Sequence, residues 1–251
     1  MLEIIILSLI QGVTEFLPVS SSSHLVIIGK TTGYNLSNLY LDISLHIGSF
    51  LAVLIYFRNY ILDLFSNRKI LFLIIFSSIP VIFAGALIVS LDLIQFIRDV
   101  KLIAYTTIIF GILLYISDKF KTEKKIETSL NLKQASIIGI IHCLALIPGV
   151  SRSGIAITAA RFLGYRRDEA AKISFLLSIP TLFAVSVFGL KNLYTKSQLN
   201  FDNLNVLSIL ISFLFSYVTI KFFLDYIKKF DLKIFVIYRV LLGIFLLTFF
   251  L

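Results

Sequence analysis

Two stretches of this chain interrupt apolar runs with a proline, a group of hydroxyls and a charge: QGVTEFLPVSSSSH at residues 11–24 and PGVSRSG at residues 148–154. Everything around them asks for a bilayer. Of the 251 residues 58% are hydrophobic and only 15% are charged, a balance that fits a multi-spanning membrane protein and no soluble class. A charge at bilayer depth costs roughly 2.5–3.5 kcal/mol on insertion scales, so it is kept there for a task or a partner. Any fold must therefore give these two breaks a protected place.

A full crossing takes about 20 apolar residues. Six segments reach or approach that length: 40–57, 70–89, 102–116, 173–190, 204–224 and 234–251. Two other runs are cut short, 2–17 by Pro18 and four serines and 135–147 by Pro148-Gly149. A proline turns the residue before it out of the helix, so both read as re-entrant hairpins: helix in, irregular turn at depth, helix out. Positive charge agrees. With the N-terminus outside and each hairpin returning to its side of entry, 16 of the 23 Lys and Arg fall inside and five outside, leaving Arg152 and Arg239 in the membrane. Arg239 lies about a turn from the inner end of the last span and is expected to snorkel to the interface.

The expected fold is an all-α integral membrane protein, one polytopic domain over 1–251, with six transmembrane helices plus two re-entrant helical hairpins in an inverted-topology repeat. Its halves are 1–116 and 134–251, joined by a charged linker at 117–133. Matching Pro18 to Pro148 sets Ser21 against Ser151. Inverted repeats place their site near the midplane, where broken helices meet. The net charge of +9 lies between apolar runs rather than on a soluble face, so no nucleic-acid partner is expected. Cys143 stands alone, which excludes an intrachain disulfide. The N-terminal run has neither a basic n-region nor a small-residue cleavage site and is expected to stay in the mature chain.

The chemistry sits in the breaks. Gln11 and Glu15 are four apart and share a helix face, so the Glu15 carboxylate reads as a general base or as a cation (metal) ligand. His24 reads as an acid, a base or a nucleophile, the hydroxyls of Ser20, Ser21, Ser22 and Ser23 as phosphate donors, and one of them beside Glu15 or His24 as a nucleophile. In the second break Ser151, Arg152 and Ser153 open a helix, and a guanidinium fork beside free backbone N–H groups suits an anion. A structural Arg152–Glu15 pair that merely joins the hairpins is the plainer alternative. His142 reads as a packing residue, and His46 either lines the cavity or bonds a neighbouring helix.

QGVTEFLPVSSSSH and PGVSRSG, with LDISLHIGSFLAVLIYFR, KISFLLSIP and Tyr238-Arg239, resemble segments of the undecaprenyl-diphosphate phosphatase family, the bacitracin-resistance proteins, in order along nearly the whole chain. The resemblance implies a hydrolase acting on a phosphoric anhydride: it removes the terminal phosphate of a C55 polyprenyl diphosphate. The product is the carrier lipid recycled for peptidoglycan and other envelope polymers. It implies a bacterial plasma-membrane location and a divalent cation cofactor, Mg2+ or Ca2+. By position it makes Glu15, Ser21, His24 and Arg152 catalytic, and Gln11, Ser20, Ser151, Arg152 and Ser153 diphosphate-binding. Ser21 is the first choice of nucleophile, with water or His24 as alternatives. Two positions depart from the family pattern: Gln11 stands where many members carry a second Glu, and Ala156 where a Thr is common, with Thr158 two residues on. A transporter that flips polyprenyl phosphate is the alternative function, and a homodimer is an assembly the chain leaves open.

Overall fold

The computed structural model describes residues 1–32, 39–91, 93, 99–120, 123–195 and 202–250. Twelve α-helices are described: α1 (Leu2–Thr14), α2 (Ser21–Thr32), α3 (Leu39–Tyr56), α4 (Arg58–Ser66), α5 (Arg68–Ser90), α6 (Val100–Asp118), α7 (Ile126–Ser129), α8 (Leu132–His142), α9 (Arg152–Phe162), α10 (Arg167–Thr195), α11 (Asn203–Ile227) and α12 (Lys233–Phe249). A 3-10 turn, Cys143–Leu146, extends α8. Short polar side chains start several helices by accepting a backbone N–H: Asp99 from Leu102, Asn131 from Gln134 and Asp202 from Asn205. Among the described residues four helices, α5, α6, α10 and α11, are long and apolar enough to cross a bilayer. The α3–α4 pair, bent by 64° at Phe57, makes a fifth if it is one span, and α12 falls just short at 17 residues. The six apolar segments thus all lie on helices, but the one at 40–57 runs into α4 at a bend.

The outward faces carry large apolar side chains such as Phe72, Phe83, Leu210, Phe222 and Leu241, all more than half exposed. Contiguous surface of that kind is abnormal in water and ordinary against lipid. Between the helices small residues let backbones approach. Gly12 of α1 lies against Ser212 and Phe215 of α11, and Gly139 of α8 against Ser77 of α5. Ser49 of α3 meets Ser212 and Ser216 of α11 at 3.2 and 3.0 Å. The apolar core closes around Phe16, Phe57, Phe175 and Phe223, and every residue of α9 from Ser153 to Arg161 is buried. At the basic end Arg167 grips Asp118 with two bonds of 2.7 and 2.9 Å, and Arg161 donates to the carbonyls of Asp118, Phe120 and Tyr165. These contacts tie the linker to the end of α9 and the start of α10.

The snorkelling expected of Arg239 is wrong. Its side chain is fully buried, and it donates to the carbonyls of Thr107, Gly149 and Val150 at 2.9–3.1 Å. Proximity to the end of a helix says nothing about which face that helix buries, and here α12 packs this face on Gly111 of α6. Three residues of the charge count, Arg98, Lys121 and Lys196, lie outside the described residues.

Candidate active site

Each break leaves a helix, turns, and opens a new helix on a serine with positive φ. Ser20 and Ser151 both have φ 70, the left-handed region that a side chain enters at a cost of about 1–3 kcal/mol. Such strain persists only where the surroundings over-determine it. Phe16, edge-on to Phe175 at 5.4 Å, anchors the first turn in the core. The second passes through Gly149 at φ 90, where a Cβ would sit 2.5 Å from the Ile103 carbonyl oxygen. Ser151 then caps α9, accepting from Gly154 N at 3.2 Å. Backbone shape thus matches Val19-Ser20-Ser21-Ser22 with Val150-Ser151-Arg152-Ser153. The counterpart of Ser21 is Arg152, one residue away from the pairing that the prolines suggest, because Gly149 is inserted.

The matched residues converge on one carboxylate. Glu15, held at the end of α1, accepts from Arg152 Nη2 at 2.7 Å on Oε1, and from Ser21 Oγ at 3.0 Å and Gln11 Nε2 at 2.9 Å on Oε2. Arg152 Nη1 donates to Thr181 Oγ1 of α10 at 3.3 Å. The next residue of each hairpin bridges to the other: Ser153 donates to the Leu17 carbonyl at 2.8 Å, and Ser22 accepts from Gly149 N at 3.3 Å. His46 of α3 adds an imidazole, with Nδ1 3.3 Å from Gln11 Nε2 and 3.8 Å from Glu15 Oε1.

These groups close one end of a cavity of about 450 Å3. Its polar end is Glu15, Ser20, Ser21, Ser22, His46, Ser151, Arg152 and Thr181. Its walls are apolar, from Val81, Ile82 and Val89 of α5, Leu146 and Ile147 before the second break, and Leu182, Val185 and Phe188 of α10. A charged head against an apolar channel is the shape of an amphiphile with an anionic group.

Among the residues singled out in the sequence, Glu15, Ser20, Ser21, His46, Ser151 and Arg152 line this cavity. Gln11 backs Glu15, and Ser153 is buried between the hairpins. His24 points elsewhere. Its Nδ1 faces the Ser20 carbonyl at 2.8 Å and its Nε2 meets the Tyr238 hydroxyl. Thr158 bonds back to its own helix at the Gly154 carbonyl, so it supplies no hydroxyl to the cavity in place of Ala156. Thr181 was missed, and Arg239 was read only as a snorkelling residue. The signal for Thr181 was a Ser-Ile-Pro repeat at 78–80 and 178–180, whose prolines sit inside α5 and α10, the two helices that wall the cavity.

The family model for bacitracin resistance protein BacA matches residues 4–245. The chain belongs to the BacA family. A relative from Pelagibacter ubique (strain HTCC1062), 52% identical over 98% of this chain and 96% of its own length, is named undecaprenyl-diphosphatase. Relatives of the same name from Aliivibrio salmonicida (strain LFI1238) and Campylobacter curvus (strain 525.92) are 41% and 40% identical, over 98% and 99% of this chain and 97% and 98% of their own lengths. The family resemblance implies a divalent cation. Among the described residues no group of three His, Cys, Asp or Glu could hold one. What fits is sparser: one carboxylate, Glu15, beside the buried Gln11 Oε1, which has no hydrogen-bond partner. Oxygen donors of that kind suit a hard cation carried largely by phosphate oxygens.

Proposed function

We propose that this chain is an undecaprenyl-diphosphatase whose two breaks grip the diphosphate between Arg152 and the Ser20–Ser22 hydroxyls while the prenyl chain lies between α5 and α10. The observation that carries the mechanism is the Ser21 Oγ–Glu15 Oε2 hydrogen bond of 3.0 Å beside Arg152, a nucleophile, base and anion clamp in one place. Ser21 Oγ attacks the terminal phosphorus as its proton passes to Glu15. The prenyl monophosphate leaves, and water releases phosphate from the phosphoserine. Arg152, drawn from Glu15 to the incoming phosphate, neutralises the charge that builds on the oxygens. Glu15 passes the first proton to the leaving monophosphate and then takes one from the attacking water, while His24, one turn beyond Ser21 on α2, lies outside the cavity. Glu15 and Gln11 Oε1 are the residues that would hold a divalent cation, which when bound would add positive charge beside the diphosphate.

The same reading places six crossings and two re-entrant hairpins in the plasma membrane, N-terminus outside, with halves 1–116 and 134–251 as an inverted repeat. Reciprocal packing supports it: α1 lies on α11 as α8 lies on α5, and α3 pairs with α10 as α6 pairs with α12. The test is phosphate release from C55 diphosphate by the purified protein in detergent, with and without divalent cation. Release that is lost in Arg152→Ala is expected. Binding without release would overturn the reading in favour of lipid transport, which needs two compartments.

A further inference from the structure

His46 of α3 lines the cavity beside Glu15, and its two ring nitrogens face different partners. Nδ1 lies 3.3 Å from Gln11 Nε2, and Nε2 lies 3.7 Å from Asp42 Oδ1, one turn back on the same helix. An amide nitrogen only donates, so Nδ1 meets Gln11 with its lone pair and the ring carries its proton on Nε2, toward the Asp42 carboxylate. The other N–H of Gln11 goes to Glu15 Oε2 at 2.9 Å. Turning the amide over would set its oxygen against that carboxylate oxygen and against the imidazole lone pair together. Two acceptors, one on each side, thus fix which end of the amide faces Glu15, and Oε1 is left buried without a hydrogen-bond partner. A carboxylate at position 11 would have no N–H for either neighbour, so this ring suits the amide that the chain carries.

We propose that His46 is a positioning residue of the phosphatase reaction, acting through Gln11: its Nδ1 lone pair keeps Gln11 Nε2 on Glu15 Oε2, the oxygen that takes the Ser21 proton. The contact counts most during turnover. Arg152 holds Oε1 at 2.7 Å before substrate binds. Once Arg152 turns to the phosphate, Gln11 Nε2 is the remaining N–H donor on this carboxylate among the described residues. A carboxylate locked by its neighbours keeps Oε2 beside Ser21 Oγ, 3.0 Å away. The inference rests on the reading that Glu15 is the base.

The experiment is phosphate release from C55 diphosphate in detergent by His46→Leu, His46→Asn, Gln11→Leu, Glu15→Gln and the double variant of His46→Leu with Gln11→Leu, with thermal unfolding as a check on folding. Leu and Asn have nearly the same shape and both lose the ring, but Asn puts an amide oxygen where Nδ1 stood. His46→Leu is expected to lower kcat about tenfold, the scale of one hydrogen bond, with KM unchanged. His46→Asn, which shares whatever loss of Tm the missing ring brings, is expected to recover part of that rate. In the Gln11→Leu background, His46→Leu is expected to lower kcat no further. A slow Glu15→Gln beside a His46→Leu at wild-type kcat would overturn the role of His46 and leave that of Glu15 standing. Wild-type kcat in Glu15→Gln would instead overturn the reading of Glu15 itself. A His46→Asn no faster than His46→Leu, losses that multiply in the double variant, or a rise in KM in place of the fall in kcat would show that His46 does not act through the Gln11 amide.

Discussion

In the first hairpin Ser20 turns at φ 70 and is followed by Ser21; in the second Ser151 turns at the same angle and is followed by Arg152. The two following residues reach the two oxygens of one carboxylate, Glu15, which belongs to the first hairpin alone. With Gly149 as the insertion, its counterpart in the second hairpin is Ala145 and that of Gln11 is Ile141, neither of which has a polar side chain. One backbone device has been used twice and the chemistry divided between the copies. A hydroxyl and its base come from one side and the anion clamp from the other, so neither hairpin is a site without its partner.

Removing the division should have the largest effect. Arg152→Ser makes the second break read like the first and is expected to lower phosphate release about 1,000-fold, the scale of a lost anion donor in a protected site. A loss below about tenfold would mean that the clamp lies elsewhere. Arg152→Lys restores charge without the fork that reaches both Glu15 and Thr181, and should recover only part of the rate.

The second prediction concerns the inserted residue. Gly149→Ala would put a Cβ 2.1 Å from Thr106 Oγ1 and 2.5 Å from the Ile103 carbonyl oxygen at φ 90. A loss of about 3 kcal/mol or more, read by thermal unfolding in detergent, is expected. The third compares the entry helices. Gly12→Ala meets Phe215 Cβ at 2.7 Å and Gly139→Ala meets the Ser77 carbonyl at 2.5 Å. Each should cost about 2 kcal/mol, and a variant at wild-type Tm would break the parallel between α1 on α11 and α8 on α5. Smallest are the two bridges. Ser153→Ala and Ser22→Ala should each lower stability by about 1 kcal/mol, with the Ser153 bond, 2.8 Å against 3.3 Å, the more costly to lose.

Much of this was legible because apolar surroundings make exceptions conspicuous. Pro18, Pro148, Glu15 and Arg152 could not stand in these runs without a break and a partner, and the breaks mark the two cavity-lining turns. The matching of the turns was less legible. Aligning the prolines hides Gly149, and only the positive φ of Ser20 and Ser151 shows which residues correspond. His24 looked like a cavity residue because it follows the serines. Its orientation depends on a carbonyl capturing Nδ1 and a tyrosine 214 positions away, neither of which local sequence reports. Arg239 misled for a related reason, since distance from a helix end carries no information about the carbonyls of another helix and turn.

The central claim is that Glu15 and Arg152, one from each hairpin, act on the same diphosphate. The direct measurement is phosphate release from C55 diphosphate by wild type, Glu15→Gln, Arg152→Gln and the double variant. The account predicts that each single variant is slower by about 100-fold or more and that the double is no slower than the worse single, as for groups that work as a unit. Independent, multiplying losses, or wild-type release in either single variant, would contradict it.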